Sequence, residues 1–268
     1  IFLQLRGISF YPSLCGGAMY GLSGAMTVFL TLTQMSNVGM VLPYALIGSE
    51  LLHLGISIYS VAFCSLAFAS VILGGQPETA LYCFLFVFAY HIFRVISDQK
   101  ERHAIKNYIV FFVPIMLSLI IASPFFIPFL LNSNQYYSLH PPGGNQGAGT
   151  TPLVNFVAIF IPELLRWRSP VYPATFNYGW DRLGGYAGIT CIFLIIASLR
   201  RYWWARKECL FFLGFALFIL LKNLGLPIVS WIGRLPVFDQ VWTPRWAGPV
   251  WSLSLILAAA FGFEAFLS

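Results

Sequence analysis

Apolar runs alternate with short charged clusters along the whole chain. The runs predict membrane helices near residues 13–33, 38–54, 56–73, 79–97, 108–131, 186–200, 208–226 and 247–267. The second and third runs are short and only Gly55 separates them, so either could be tilted or partly inserted. Since a bilayer is the common solvent that selects for this pattern, the sequence predicts an all-α fold. We expect a polytopic transmembrane bundle of about eight membrane helices, forming one transmembrane domain over residues 1–268.

The charged clusters predict which side of the membrane each loop occupies. Arg94–Lys106 and Arg200–Lys207 are crowded with lysine and arginine, and such loops stay in the cytoplasm. Counting helices outward from these clusters places Arg6 inside and Gly74–Glu78 outside. The acids predicted at the inner side are Glu50, Asp98, Glu101, Glu208 and Glu264. The chemistry of the protein is therefore expected on the outer side, away from the basic clusters.

The longest predicted outer segment covers residues 132–185. It contains the Gly/Pro-rich stretch Pro141–Gly149 and then the apolar run Leu153–Leu165. That run is shorter than the roughly 20 residues that a membrane-spanning helix needs, which indicates an interfacial or re-entrant helix. Long loops on compact proteins are usually functional, so we interpret this segment as a large extracytoplasmic loop with a role in function.

Composition narrows the class of protein further. The chain is 59% hydrophobic and only 9% charged, whereas soluble domains carry about 25% charged residues. The net charge of +6 does not indicate nucleic-acid binding, because the basic residues flank apolar runs. The five cysteines lack metal-ligand and CxxC spacing. We predict no cofactor; a divalent metal is an open alternative, but no acidic pair of the DxD type supports it.

The segment Gly74–Ala80 is the sharpest local feature among the predicted outer residues. Two glycines can end one helix, and Pro77 suits the first turn of the next. Glu78 then lies in that first turn, where the helix dipole favours an anion. One interpretation is a capped tight turn without further function. The other is that Gln76 and Glu78 line an outward cavity and hydrogen-bond a polar head group.

Other outer charges could also contact a substrate. Arg245 lies between two tryptophans in Trp242–Trp246, where a guanidinium can bind phosphate through two hydrogen bonds or anchor the helix at the interface. Asp181 and Arg182 form either a local ion pair or a substrate contact, and Asp239 is either a solvated loop acid or a sugar ligand. The sequence contains no Walker loop, HExxH, GxSxG or GxGxxG motif.

Five stretches in this order resemble the YfhO family of bacterial membrane proteins, which belong with the GT-C-type glycosyltransferases. They are Ala18–Gly24, Leu42–Leu46, Gly74–Tyr82, Tyr186–Ile189 and Leu235–Arg245. Each stretch is a weak signal alone, whereas their order and spacing are more specific and cover nearly the whole chain.

The resemblance implies a GT-C-like fold in the bacterial cytoplasmic (inner) membrane, with the active face extracytoplasmic. It implies a glycosyltransferase that moves a sugar from a polyprenyl-phosphate-linked donor to an extracytoplasmic acceptor, either a cell-envelope polymer or a lipid. Its partners would be membrane lipids and this donor. By analogy, Arg245 would hold the lipid phosphate, with Arg182 and Arg234 assisting. The chain starts with Ile1 and is expected to be an internal fragment, with the catalytic acid outside it.

A different class of function also fits the sequence. A non-enzymatic carrier or flippase of a lipid-linked substrate would need an outer binding face too, and a membrane scaffold is a third alternative. An acidic residue in an upstream outer loop would favour the enzyme. A second, inward-facing polar cavity would favour the carrier.

Overall fold

The computed structural model describes residues 1–27, 33–97, 104–132, 153–162, 183–201, 207–235, 238–241 and 244–267, and the described residues fold into helices. The longer helices are α2 (Phe10–Gly21), α4 (Thr33–Leu54), α5 (Ile58–Leu73), α6 (Pro77–Ser97), α7 (Ala104–Leu131), α8 (Ile189–Arg201), α9 (Lys207–Asn223) and α12 (Gly248–Leu267). The short ones are α1 (Phe2–Leu5), α3 (Gly24–Thr27), α10 (Pro227–Ser230) and α11 (Phe238–Val241). Three 3-10 helices cover Leu153–Ile159, Trp231–Arg234 and Pro244–Ala247. The predicted all-α class is confirmed.

The last helix, α12, lies at the centre of the fold. It packs against α2, α8 and α9 and is buried along almost its whole length. Its polar atoms find partners across these contacts: the Trp251 indole donates to the Leu183 carbonyl at 2.8 Å, and the Ser254 hydroxyl donates to the Phe212 carbonyl at 2.9 Å. Because buried polar groups need such partners, these bonds fix how the neighbouring segments sit on α12.

A second set of packed helices consists of α4, α5 and α7. Helix α4 packs against α5, and α5 packs against α7. Gly48 permits the close approach of α4 to α5, since a side-chain carbon there would lie 2.9 Å from the Cys64 Cα atom. The outermost helix, α7, is largely exposed and apolar over Val110–Leu131. In a bilayer this exposed apolar surface would contact lipid tails.

Three described helices are long and apolar enough to cross a membrane: Pro77–Ser97, Val110–Leu131 and Arg245–Leu267. A fourth crossing results if Lys207–Asn223 and Pro227–Arg234, which meet at 91°, form one broken span. These lengths and compositions support a helical, multi-pass membrane protein. They do not reproduce the predicted count of about eight membrane helices, because several apolar runs form helices too short or too polar to cross alone.

The prediction of one continuous helix over residues 13–33 is wrong. Helix α2 ends at Gly21 and α3 begins at Gly24, while residues 28–32 lie outside the described part of the chain. The break has a tertiary cause: the Gly24 amide donates to the Tyr186 carbonyl at 2.8 Å, and a side chain at Gly24 would overlap the Tyr186 ring. A residue about 160 positions away in sequence therefore ends this helix, which no local pattern could predict.

The apolar run at Leu153–Leu165 also differs from its prediction. The described part contains a 3-10 helix that ends at Ile159, whereas the prediction was an interfacial or re-entrant helix over the whole run. The Ile159 carbonyl accepts hydrogen bonds from the amides of Ala187 and Gly188 at 2.7 and 3.1 Å. The run stops there because its last carbonyl pairs with the returning end of the outer loop, and residues 163–165 lie outside the described residues.

Four of the charged residues predicted at the inner side lie together. Arg6, Glu50, Arg94 and Glu208, all expected on the inner side, meet in one ion-pair network. We call the end of the bundle with this network the inner end, and the opposite end the outer end. Helix α6 runs from Glu78 at the outer end to Arg94, and α9 runs back from Glu208 towards the outer end. That the inner end faces the cytoplasm stays a prediction.

Candidate functional site

A buried polar cluster lies at the outer end, between the start of α6 and the end of α9. We call it the outer-end cluster; its members are Glu78, Thr79, Tyr82, Lys222 and Asn223, and all five are buried. The Lys222 ammonium donates to the Tyr82 hydroxyl at 2.5 Å and lies 4.8 Å from the centre of the Tyr82 ring. Glu78 is near enough to attract Lys222 electrostatically. A lysine is almost never fully buried without a partner, and here it has these two.

Local sequence explains why these side chains lie at helix ends. Helix α5 ends at Leu73, Gly75 has a φ of 88°, and Pro77 opens α6, so Glu78 falls in the first turn as predicted. Helix α9 ends at Asn223, and Gly225 follows with a φ of 71°; the Gly225 amide donates to the Lys222 carbonyl at 2.8 Å. The α6 N-terminus favours the Glu78 carboxylate and the α9 C-terminus favours the Lys222 ammonium, so the helix dipoles stabilise both charges.

Two members of the cluster have polar atoms without hydrogen-bond partners. The Thr79 hydroxyl and both amide atoms of Asn223 lie buried with no partner from any described residue. Both side chains are 0% exposed, so bulk water does not reach them. Most buried polar atoms in native proteins are hydrogen-bonded, so these unpaired atoms lower the stability of this part of the outer end.

The turn that holds Arg245 packs beside this cluster. The 3-10 helix Pro244–Ala247 contacts both α6 and α9. Arg245 is half-buried, and its guanidinium lies 5.9 Å from the centre of the Trp246 ring, within the range of a cation–π interaction. The structure therefore brings the elements that hold Glu78, Lys222 and Arg245 together.

The other predicted site residues are not members of the outer-end cluster. Gln76 is half-buried in the turn before α6. Arg234 is exposed at the end of the 3-10 helix Trp231–Arg234, which packs against α11, where the half-buried Asp239 lies. The short helices that carry Arg234 and Asp239 therefore pack together on the segment that follows the bend after α9. Asp181 and Arg182 lie outside the described residues.

The returning end of the outer loop fixes the turn that holds Arg245. Gly184 has a φ of 81°, and a side-chain carbon on it would overlap the Arg245 carbonyl oxygen. A side chain on Gly248 would in turn overlap the Gly184 carbonyl. The backbones of the two segments therefore touch directly, which glycine alone permits. This junction sets the position of the Pro244–Ala247 turn relative to the rest of the outer end.

The inner end holds a second buried charge cluster, centred on Glu50. This carboxylate is 0% exposed and accepts hydrogen bonds from Arg6 at 2.7 Å, from Arg94 at 3.1 Å and from the Tyr90 hydroxyl at 2.7 Å. Arg6 also pairs with Glu208 on α9. Burial lowers the pKa of the Arg6 guanidinium, but Tyr90, Glu50 and Glu208 raise it more, so the net pKa is above its ordinary value. The carboxylate is saturated, which is typical of a structural network.

Sequence reasoning missed four members of the outer-end cluster: Thr79, Tyr82, Lys222 and Asn223. The sequence around Lys222 does not indicate that it pairs with α6. The available signal was local, because Lys222 and Asn223 interrupt an apolar run just before Gly225 and Pro227. Pairing with Glu78 needs the antiparallel packing of α6 on α9, which the sequence of either helix does not contain.

No family model, curated protein or solved structure matches this chain. Within the described ranges, no group of three or more His, Cys, Asp or Glu residues is arranged to hold a metal ion. The chemistry of the outer-end cluster therefore carries the functional inference.

Proposed function

We propose that the chain belongs to a membrane glycosyltransferase that uses a polyprenyl-phosphate-linked sugar donor and acts at the outer end. The observation that carries this proposal is the outer-end cluster, which is polar, buried and only partly satisfied by its own hydrogen bonds. The resemblance to the YfhO family supplies the reaction class. The GT-C-like fold, the donor and the extracytoplasmic location are parts of the same proposal.

The position of the cluster suits a donor that is anchored in the membrane. A polyprenyl chain partitions into the lipid core, while its phosphate and sugar remain at head-group depth, so the enzyme needs a polar site just below the end of its helices. The outer-end cluster lies at the N-terminus of α6 and the C-terminus of α9. Half-buried Arg245 lies on the adjoining turn and, beside Trp246, suits the lipid phosphate.

The chemical groups also suit recognition of the donor. Glycosyl transfer develops negative charge on the leaving phosphate, which a fixed cation stabilises. Among the described residues, Arg245 and Lys222 are cations in this part of the outer end. Carboxylate and amide groups such as Glu78 and Asn223 are the usual ligands of sugar hydroxyls. We assign no residue of the chain as the catalytic base.

A carrier of the lipid-linked substrate is the second candidate, and one observation favours it. Helices α6 and α9 carry paired charged groups at both ends: buried Glu78 with buried Lys222 at the outer end, and half-buried Arg94 and Glu208 in the network around buried Glu50 at the inner end. Buried charges in membrane proteins often mark substrate or ion pathways. A carrier would open and close these two ends alternately, whereas an enzyme keeps the inner end shut.

We expect Glu78→Gln to lower sugar transfer by roughly ten- to hundredfold, because it removes a charged hydrogen-bonding group worth about 1.5–3 kcal/mol. The measurement is transfer from a radiolabelled polyprenyl-phosphate sugar by the full-length protein in proteoliposomes, with the donor KM determined in parallel. The near-identical shape of glutamine keeps the packing at the start of α6.

Glu264→Gln is the matched control, since Glu264 accepts its hydrogen bonds from Ser9 at the far end of the bundle. It should transfer sugar at the wild-type rate. If Glu78→Gln transfers sugar at the wild-type rate, Glu78 only caps the start of α6 and does not contact the substrate. Movement of the labelled donor across the bilayer without any transfer to an acceptor would replace the enzyme proposal with the carrier.

A further inference from the structure

The segment that follows α9 exposes large apolar side chains at the outer end. It contains α10 and the 3-10 helix Trp231–Arg234, and we call Leu226–Leu235 the bend segment. Ile228 is 85% exposed and Trp231 is 53% exposed. Exposing so much neighbouring apolar surface to water is unfavourable. The surface therefore suits a partner that is itself partly apolar.

The bend segment has two distinct faces. Val229 and Gly233 are buried against the protein. Ile228, Trp231 and Arg234 recur at every third position and are exposed, and this spacing places them on one side of a short helical segment. The fold therefore holds one face in place, while the other presents two large apolar side chains and a cation.

The direction of the bend segment relates it to the membrane plane. Its helices meet α9 at 91°, so they run along the membrane if α9 runs across it. Helix α9 has 17 residues, which at a rise of about 1.5 Å per residue make it about 25 Å long. It starts at the inner end, and the hydrocarbon core is about 30 Å thick. The bend therefore falls near the boundary between the acyl chains and the head groups.

The side chains of the exposed face suit this boundary. Tryptophan is enriched at membrane interfaces, because its ring is apolar and its N–H can donate a hydrogen bond. The Arg234 guanidinium can donate hydrogen bonds to a lipid phosphate, and Leu226–Leu235 contains no acidic residue that would repel that phosphate. An apolar face with a cation is typical of elements that lie in the interface.

We propose that the bend segment lies in the phospholipid interface at the outer end, with Ile228 and Trp231 among the upper acyl chains and Arg234 at the lipid phosphates. The partner is the phospholipid surface itself. The bend segment thereby sets the depth of α11, which packs against the 3-10 helix Trp231–Arg234. The proposal depends on the membrane helices and is independent of sugar transfer.

The experiment measures the depth of a fluorescent label at position 228 in liposomes of phosphatidylcholine. The full-length protein carries Cys15→Ser and Ile228→Cys, since the other four cysteines are buried. Three quenchers are compared: a phospholipid with a nitroxide on its head group, a phospholipid with a nitroxide near the end of an acyl chain, and acrylamide in the water. Ile120→Cys is the matched control, because Ile120 is exposed in the middle of the apolar span Val110–Leu131.

We expect the head-group nitroxide to quench the label at position 228 at least about twofold more than the acyl-chain nitroxide. The label at position 120 should show the reverse order, and acrylamide should quench both weakly. Adding Arg234→Glu to Ile228→Cys should lower head-group quenching about twofold and raise acrylamide quenching, because a carboxylate is repelled by phosphates. Adding Arg234→Lys, which keeps the charge, should leave the pattern unchanged.

Three results would overturn the proposal. Strong quenching at position 228 by acrylamide alone would place the bend segment in water, and strongest quenching by the acyl-chain nitroxide would place it in the core as part of a crossing. Weak quenching by all three would mean that another protein or a second copy covers it.

Unchanged quenching in the Arg234→Glu variant would remove Arg234 from the phosphates and overturn the proposal as well. If Ile228→Cys does not fold, Trp231→Cys decides by the same measurements. A failure of sugar transfer with the expected quenching pattern intact would overturn the proposed function alone.

Discussion

Glu50→Gln is expected to lower the free energy of unfolding by about 3–5 kcal/mol, the usual result of removing one partner from a buried ion pair. Glu50 is fully buried and holds both Arg6 and Arg94. Glutamine removes the negative charge, so Arg94 loses the carboxylate that it pairs with and Arg6 keeps Glu208 alone. The measurement is thermal or denaturant-induced unfolding of purified protein in detergent.

Two further variants make this prediction specific. Glu208→Gln should be milder, because Arg6 keeps Glu50 as a partner. Adding Arg94→Gln to Glu50→Gln should restore part of the lost stability, since it removes the cation whose carboxylate partner was lost. If Glu50→Gln unfolds at the same temperature or denaturant concentration as the wild type, the network at the inner end contributes no stability and the account of that end is wrong.

Gly184→Ala is the second substitution with a large expected effect. Two causes act together: Gly184 has a φ of 81°, which costs other residues roughly 1–2 kcal/mol, and an added side-chain carbon would overlap the Arg245 carbonyl. The Arg245 carbonyl is part of the backbone, so it cannot move away from the added carbon as a flexible side chain could. We therefore expect a loss of about 3 kcal/mol or more in unfolding free energy, or failure of the folded protein to accumulate.

Gly188 offers a control that separates the two causes. It has a φ of 87°, close to that of Gly184, but nothing lies within 4 Å of the position that a side-chain carbon would take. Gly188→Ala should therefore show only the conformational cost of about 1–2 kcal/mol. If both alanine variants lose the same stability, direct contact between the Gly184 segment and the Arg245 turn does not hold the outer end together.

The features that the sequence predicts well are those with local causes. Gly75 and Pro77 stand in one short segment, and their backbone preferences alone place Glu78 in the first turn of α6. The separation of charges between the ends follows from clusters that are contiguous in sequence, and the contacts of Arg6 with Glu50 and Glu208 agree with it. Each of these predictions needs only a window of a few residues and the known behaviour of charges at membrane boundaries.

The features that the sequence does not predict have distant causes. The break after Gly21 results from a hydrogen bond between Gly24 and Tyr186. The cluster around Lys222 results from the packing of α9 against α6, which are separated by more than a hundred residues. An apolar run looks the same whether a helix crosses the membrane whole, breaks, or packs on another segment, so the number of crossings is where prediction from periodicity fails.

The two ends of α6 and α9 differ in a way that bears on function. At the inner end, Glu50 has a hydrogen-bonding partner for each of its oxygens, and the charges close on one another. At the outer end, Asn223 and Thr79 have none among the described residues. Unpaired buried polar groups cost stability, a cost that the saturated network at the inner end avoids. Because the candidate site is proposed at the outer end, the orientation of that end in the membrane is the central question.

Cysteine labelling tests this orientation most directly. Cys15 is replaced by serine, and Cys64, Cys83, Cys191 and Cys209 are buried; Asn145→Cys in the outer loop and Arg102→Cys in the basic cluster are then compared in bacterial spheroplasts. A membrane-impermeant maleimide should label position 145 in intact spheroplasts and position 102 only after lysis. Protection of position 145 until lysis would place the loop, and with it the outer-end cluster, on the cytoplasmic side and contradict the account.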